Sequence, residues 1–331
     1  MMRWWGPGQV PEGFGPSVVT IGVFDGVHRG HQAIIARARS LARASRLPAV
    51  VVTFDPHPDA VVRPVGSPPA LSSLARRLDL FDALGVDATL VLAFDEQMAH
   101  WSAQEFVERI LVDRLHARAV VVGENFRFGH RAVGDLAALT AYGERFGFDV
   151  EGLGLVTVES PPAQPPVVPA SPGHGSPPVS SSTWIRARIA EGDVQSAGRV
   201  LGRPPRVEGV VVQGDRRGHR LGYPTANLVD LQGQAIPADG VYAGWLVRAD
   251  GQQLPAAVSV GSNPTFDGQR RQVEAYVLDR DDLELYGEPV AIELVERLRG
   301  MQRFADVDGL IAQMGRDVEA ARLVLAGAPL R

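Results

Sequence analysis

Two histidines three residues apart lie among glycines in Gly22-Val-Phe-Asp-Gly-Val-His28-Arg-Gly-His31-Gln. An apolar run, Ser17-Val-Val-Thr-Ile21, precedes them, and a helical pattern from Gln32 to Arg46 follows. A strand, a tight turn and a helix start bring free N–H groups and the positive end of a helix dipole to one place. Two imidazoles add donors there, so the stretch reads as a phosphate grip for a nucleotide. Asp25 has a second reading, as a cap of the turn. Metal ligation would need a third ligand, and none is evident nearby in the sequence.

Further stretches carry chemistry. Ser181-Ser-Thr183-Trp-Ile-Arg186 enters a helix on good capping residues. Gly214-Asp-Arg-Arg217-Gly218-His-Arg-Leu-Gly-Tyr-Pro224-Thr225-Ala-Asn227 joins a glycine-rich basic loop to two hard oxygen donors. In isolation such a loop reads as a solvated hairpin. Glu274 alternates with apolar residues in Arg271-Gln-Val-Glu274-Ala-Tyr-Val-Leu-Asp279, which in isolation reads as the wet face of a strand.

Two absences narrow the chemistry. The chain has no cysteine and no lysine, so its 33 basic residues are all arginine. Disulfides, thiolate nucleophiles, cysteine-bound zinc, lysine Schiff bases and a Walker A loop are therefore excluded. The net charge of −5 gives no basic excess for nucleic acid. No apolar run is long enough to span a bilayer, and the first residues lack the apolar core of a signal peptide. The expected location is the cytoplasm, with no membrane or nucleic-acid partner. A homo-oligomer stays open.

The elements that must position these residues change midway. Apolar runs at 18–24, 49–54, 88–94 and 117–122, with weaker ones at 148–158, alternate with helical patterns at 32–46, 71–84, 103–115 and 135–146. That alternation predicts a Rossmann-like α/β domain with a buried parallel sheet. The motifs follow its strands: Asp25 to His31, Asp55-Pro-His57-Pro58, and Glu124-Asn125-Phe-Arg-Phe128-Gly129. Ligands bind at such strand ends. A proline-rich stretch, 160–182, reads as a surface loop or a lid. One helix is expected from Thr183 to about Leu201. From Arg206, short β runs at 207–213, 240–247, 256–260, 272–278 and 290–298 predict an antiparallel barrel. A final helix carries an apolar stripe from Val307 to Leu325. The domains are expected at 1–203 and 204–331, divided near Gly202-Arg-Pro-Pro205.

The histidine stretch resembles the His-x-Gly-His signature of adenylyltransferases, in the form found in the bacterial bifunctional riboflavin kinase/FAD synthetase family. Ser182-Thr183-x-x-Arg186, Phe54-Asp-Pro-His-Pro58, Gly123 to Gly129, Pro-Thr225-Ala-Asn227 and Val-Glu274 are similar to its other motifs. Gly261-Ser-Asn-Pro-Thr-Phe266 matches a family loop to which only a structural or nucleotide-edge role attaches. The resemblance implies that an N-terminal FMN adenylyltransferase and a C-terminal riboflavin kinase, both using ATP and Mg2+, make FAD from riboflavin through FMN. It implies ATP contacts at Gly22, Phe24, Asp25, Gly30, His31, Ser182, Thr183 and Arg186 in the first half. In the second half they fall at Gly214, Arg217, Gly218, Thr225 and Asn227. Flavin contacts fall at Phe54, His57, Pro58, Asn125 and Phe128, although Phe54, Phe126 and Phe128 read equally as core. Thr225 and Asn227 would ligate magnesium. Glu274 would be the kinase base, and His28, His31, Asn125 and Arg186 would serve adenylyl transfer. Rival readings are a nucleotidyltransferase acting on another phosphate, against which Pro-Thr225-Ala-Asn227 and Glu274 argue, and a flavin-binding regulator.

Overall fold

The computed structural model describes residues 1–154, 181–213, 223–265, 268–280 and 282–327. Most of the proline-rich stretch, the glycine-rich residues Gly214, Arg217 and Gly218, and Phe266 lie outside the described residues. By compactness the chain divides into two units, Met1–Pro68 with Ser73–Ser181, and Pro69–Ser72 with Ser182–Arg331.

The first unit is a six-stranded, all-parallel sheet. Its strands are β1 (Met2–Trp5), β2 (Ser17–Ile21), β3 (Ala49–Asp55), β4 (Ala88–Ala93), β5 (Ala117–Gly123) and β6 (Asp149–Leu153), in spatial order β1-β4-β3-β2-β5-β6. All five residues of β2 are buried, as the unbroken apolar runs predict for strands covered on both faces. On one face lie α1 (Arg29–Ser45), through Ile35, Ala38 and Ala42, and α3 (Leu74–Ala83), through Leu78 and Phe81. On the other lie α5 (Ala103–Phe106), the π-helical turn Val107–Val112 and α6 (Leu136–Phe146). Two short helices, α2 (Pro58–Val62) and α4 (Glu96–Ala99), follow β3 and β4. The sequence pattern does not foresee β1, whose four residues are too few to show a period. Strand order reverses between β2 and β5, so the crevice of this sheet opens at their carboxyl ends.

The single helix expected up to Leu201 is two helices, α7 (Ser182–Glu191) and α8 (Val194–Leu201). Gly192 turns left-handed at φ 83°, and Asp193 caps the second helix by accepting from Ser196 N at 3.0 Å. A closed barrel follows, made of β7 (Arg206–Val212), β8 (Ala226–Val229), β9 (Gly240–Val247), β10 (Gln253–Thr265), β11 (Gly268–Val277) and β12 (Pro289–Arg299). Its order is β10-β11-β8-β7-β12-β9, with antiparallel pairing. The pattern does not predict β8, because its four residues follow directly on a turn-like Tyr-Pro-Thr. Alternate residues such as Ala226, Leu228, Val273, Ala275 and Val277 fill the interior.

Helix α9 (Val307–Ala326) covers part of the outer face through Val318, Ala321 and Leu325, against Trp245, Ala257 and Tyr276. A buried ion pair ties it to β12. Arg299 donates from Nε and NH2 to the two oxygens of Asp317 at 2.8 and 2.6 Å, and Gln313 adds a bond of 2.8 Å. The side chains are 16% and 9% exposed, so removing one partner strands a buried charge. Asp317→Ala is expected to destabilise the second unit by about 3–5 kcal/mol. Calorimetry would show this as a lowered transition for that unit.

Candidate functional site

The first site is built on the turn after β2. Phe24 sits in the left-handed region at φ 53° and Gly26 at φ 76°, which bends the chain sharply into α1. A Cβ at Gly22 would stand 3.0 Å from the Phe24 ring, so any side chain there would press that ring outward. His28 is the N-cap of α1: its Nδ1 accepts from the backbone N–H of His31 at 3.3 Å. That bond requires an unprotonated Nδ1, so in the neutral ring the proton sits on Nε2. The two imidazoles stack with centroids 3.5 Å apart. Phe24 meets His31 edge-on at 5.2 Å. Gln32 donates from its side chain to Val27 O at 2.8 Å and fastens the turn to the helix.

Burial sorts the expected contacts. Phe24 and Asp25 are 2% and 4% exposed and His28 is 5% exposed, whereas His31 is only partly buried. The ring of Phe24 therefore supports His31 from within. Gly30 is buried in the first turn of α1.

The turn after β5 lies beside this grip, since β2 and β5 pair directly. A side chain on Gly123 would stand 3.5 Å from Ile34 of α1 and 3.1 Å from Asn125 Oδ1. Asn125 is exposed. Phe128 is 8% exposed and stacks on Phe126 at 5.3 Å, within the core that also holds Phe106 and Phe54. The turn after β3 presents His57, which caps α2 by accepting from Asp59 N at 3.1 Å, with Pro58 in the first turn. Three loops thus meet at one sheet edge, as the spacing of the motifs predicts. Ser182, Thr183 and Arg186 open α7 in the second unit, where the Arg186 Nε donates to Pro69 O at 2.7 Å.

The second site is on the barrel. Glu274 on β11 is in register with Asn227 on β8 and with Ser259 on β10. Strand alternation puts these three on the face opposite the interior residues Ala226, Val273 and Ala275. Thr225 Oγ1 lies 3.5 Å from Glu274 Oε2, and Asn227 Nδ2 bonds Thr225 O at 3.2 Å. With its amide nitrogen engaged, Asn227 has its carbonyl oxygen as the ligand end. Tyr276, two residues beyond Glu274, meets Tyr223 edge-on at 5.1 Å. A shallow open cleft borders Thr225 on the interior side of the barrel wall, with Val211, Ala226, Val277, Arg280 and Tyr286 around it. Sequence reading missed Arg280 and Tyr286. They lie past the recognisable motif, and only chain closure of the barrel brings them back to Thr225.

Among the described residues no cluster of three or more His, Cys, Asp or Glu side chains could hold a metal. A cation at the barrel site would rest on few protein oxygens and take the rest of its shell from phosphates, which suits magnesium.

Two separate polar constellations on two unrelated architectures, a parallel α/β sheet and a closed antiparallel barrel, define a two-domain protein with two candidate sites. The FAD synthetase family model matches residues 11–163 and the riboflavin kinase model residues 201–325. The chain is 35% identical to the bifunctional riboflavin kinase/FMN adenylyltransferase of Escherichia coli (strain K12) over 310 residues, 92% of this chain and 91% of the relative. It is 38% identical to the protein of the same name from Pseudomonas fluorescens, over 93% of each. It also superposes, with TM-score 0.82 and 33% identity, on a crystal structure described as a macrolide-efflux protein from Streptococcus pneumoniae, covering 97% and 99% of the two chains. Among the described residues no helix is long and apolar enough to cross a membrane. The chain belongs to the bifunctional riboflavin kinase/FMN adenylyltransferase family. Its N-terminal domain is the FMN adenylyltransferase and its C-terminal domain the riboflavin kinase, with riboflavin, FMN, FAD and ATP as substrates and products.

Proposed function

We propose that the two constellations are two separate active sites acting in sequence, divided near residues 203–204, in a cytoplasmic enzyme. At the barrel, Glu274 accepts the proton of the riboflavin 5′-hydroxyl while that oxygen attacks the γ-phosphorus of ATP and ADP leaves. The observation that carries this reading is the pairing of Glu274 with Asn227, with the Thr225 hydroxyl 3.5 Å from the carboxylate. A base and two hard oxygen donors on adjacent strands can serve a hydroxyl and a phosphate chain together. Thr225 and Asn227 would hold Mg2+, which supplies charge neutralisation at the phosphates. Gly214, Arg217 and Gly218 would wrap the same nucleotide.

At the sheet edge, a phosphate oxygen of FMN attacks the α-phosphorus of ATP, and pyrophosphate leaves. This chemistry needs no protein nucleophile, only positioning and charge stabilisation. His31, backed by His28 and by the first turn of α1, would hold phosphate oxygens. Gly22, Phe24, Asp25 and Gly30 would shape that grip. Asn125 would orient the reacting phosphate beside a flavin held by Phe54, His57, Pro58 and Phe128. Ser182, Thr183 and Arg186 would bind the triphosphate of the same reaction.

Magnesium titration tests the barrel assignment. Asn227→Ala is expected to raise the Mg2+ concentration needed for half-maximal FMN formation by roughly tenfold, the loss of one ligand. FAD formation from supplied FMN should keep its magnesium dependence. An unchanged requirement for FMN formation would remove Asn227 from the ligand set.

A further inference from the structure

One buried cation in the first unit is absent from every motif above. Arg77, on α3, is 5% exposed. Its NH1 lies 2.8 Å from Val23 O, 3.2 Å from Thr53 Oγ1 and 3.2 Å from Phe54 O, and its NH2 is 3.6 Å from Asp55 Oδ1. Thr53 Oγ1 donates to the same Val23 O at 3.0 Å. Burial pushes the guanidinium's pKa down, and the charges of Asp25 and Asp55 pull it back up. A charge this deep is kept only where its hydrogen bonds are worth more than its desolvation.

The acceptors show what the charge holds. Val23 lies between Gly22 and Phe24 in the turn that leads to His28 and His31. Phe54 and Asp55 end β3 and lead to His57 and Pro58. One planar fork therefore ties the nucleotide-side turn to the flavin-side turn across neighbouring strands. α3 reinforces the tie, because Phe81 meets Phe24 edge-on at 5.7 Å.

We propose that Arg77 is a positioning residue for adenylyl transfer: it fixes the turn after β2 against the turn after β3, so that the FMN phosphate meets the α-phosphorus of ATP in line. The inference rests on the assignment of those two turns to nucleotide and flavin. Each turn still binds its own substrate without the tie, so the loss falls on kcat.

Arg77→Met is expected to lower kcat for FAD formation from FMN by about 100-fold, the scale of an ångström misplacement. KM for ATP and FMN should change less than about threefold, by the same argument. Riboflavin phosphorylation by the same chain should be unchanged, which makes it an internal control for folded protein. Arg77→Lys should recover part of the loss, since one ammonium can still reach Val23 O. A kcat equal to wild type in folded Arg77→Met, with only a lowered melting temperature, overturns the proposal. If Arg77→Met does not fold, Thr53→Val decides, because it keeps side-chain volume and removes the hydroxyl that accepts from Arg77 and donates to Val23 O across the two turns. A fall of roughly fivefold or more in the same kcat is expected there, and an unchanged kcat overturns the proposal. His31→Ala run alongside separates the two failures. If it leaves FAD formation intact, the assignment of the grip is at fault. If it abolishes FAD formation while the Arg77 and Thr53 variants stay normal, only the inference about Arg77 fails.

Discussion

Glu274→Gln is expected to abolish FMN formation from riboflavin, a fall of about 10²–10⁴-fold, the range of a positioned general base. The substitution keeps the shape of the side chain and its place opposite Asn227 and Ser259. It replaces a carboxylate that can take a proton with an amide that cannot. The neighbouring Thr225 hydroxyl keeps an acceptor in the amide oxygen, so the strand pairing and the barrel core of Val273 and Ala275 are not disturbed. The stability of the protein should stay within about 0.5 kcal/mol of wild type, as for other substitutions outside the core. FAD formation from supplied FMN should proceed at its normal rate. Chromatographic separation of riboflavin, FMN and FAD reads both activities in one mixture. Substantial FMN production by the variant would show that another group, or the substrate itself, handles the proton.

The positions of Glu274 and Asn227 show how far a sequence reaches. The spacing of apolar residues is enough to predict β7, β9 and β12 to within a residue, the middle of β10 and the second half of β11, because interior positions of a barrel must alternate with outer ones. It is not enough to predict that β11 lies next to β8. That pairing is a closure property, decided by which strands complete the ring, and no local window contains it. The parallel sheet was more legible. Its central strands β2, β3 and β4 are buried on both faces and read as unbroken apolar runs, and motifs follow β2, β3 and β5. Its edge strand β1 was not legible, because Met2–Trp5 is short and half exposed. Arg77 was hidden for a related reason. In the sequence it is one of two adjacent arginines in an amphipathic helix, and only burial, with acceptors 54 and 23 residues away in the chain, separates it from Arg76. The break at Gly192-Asp193 could have been read from the residues alone. A glycine followed by an aspartate three residues before Ser196 is a stop and a start.

His31→Ala is expected to have the converse effect of Glu274→Gln. FAD formation should fall by about 10²–10³-fold, the cost of removing one preorganised donor from developing charge on a phosphate. Riboflavin phosphorylation should be unchanged, because the barrel has its own base and its own phosphate ligands. The geometry separates His31 from His28. The cap of α1 uses the backbone N–H of His31 and the side chain of His28, so His31→Ala keeps it. His28→Ala removes the cap, buries a small cavity behind His31, and should lower stability by about 1–2 kcal/mol besides impairing FAD formation. The two variants should therefore differ in melting temperature while sharing a catalytic defect. Equal melting temperatures would mean that the bond from His31 N to His28 Nδ1 contributes nothing in solution. Loss of both activities in folded His31→Ala would defeat the assignment of two independent sites, since the only residue changed lies in the turn after β2, and nothing in the barrel chemistry calls on it.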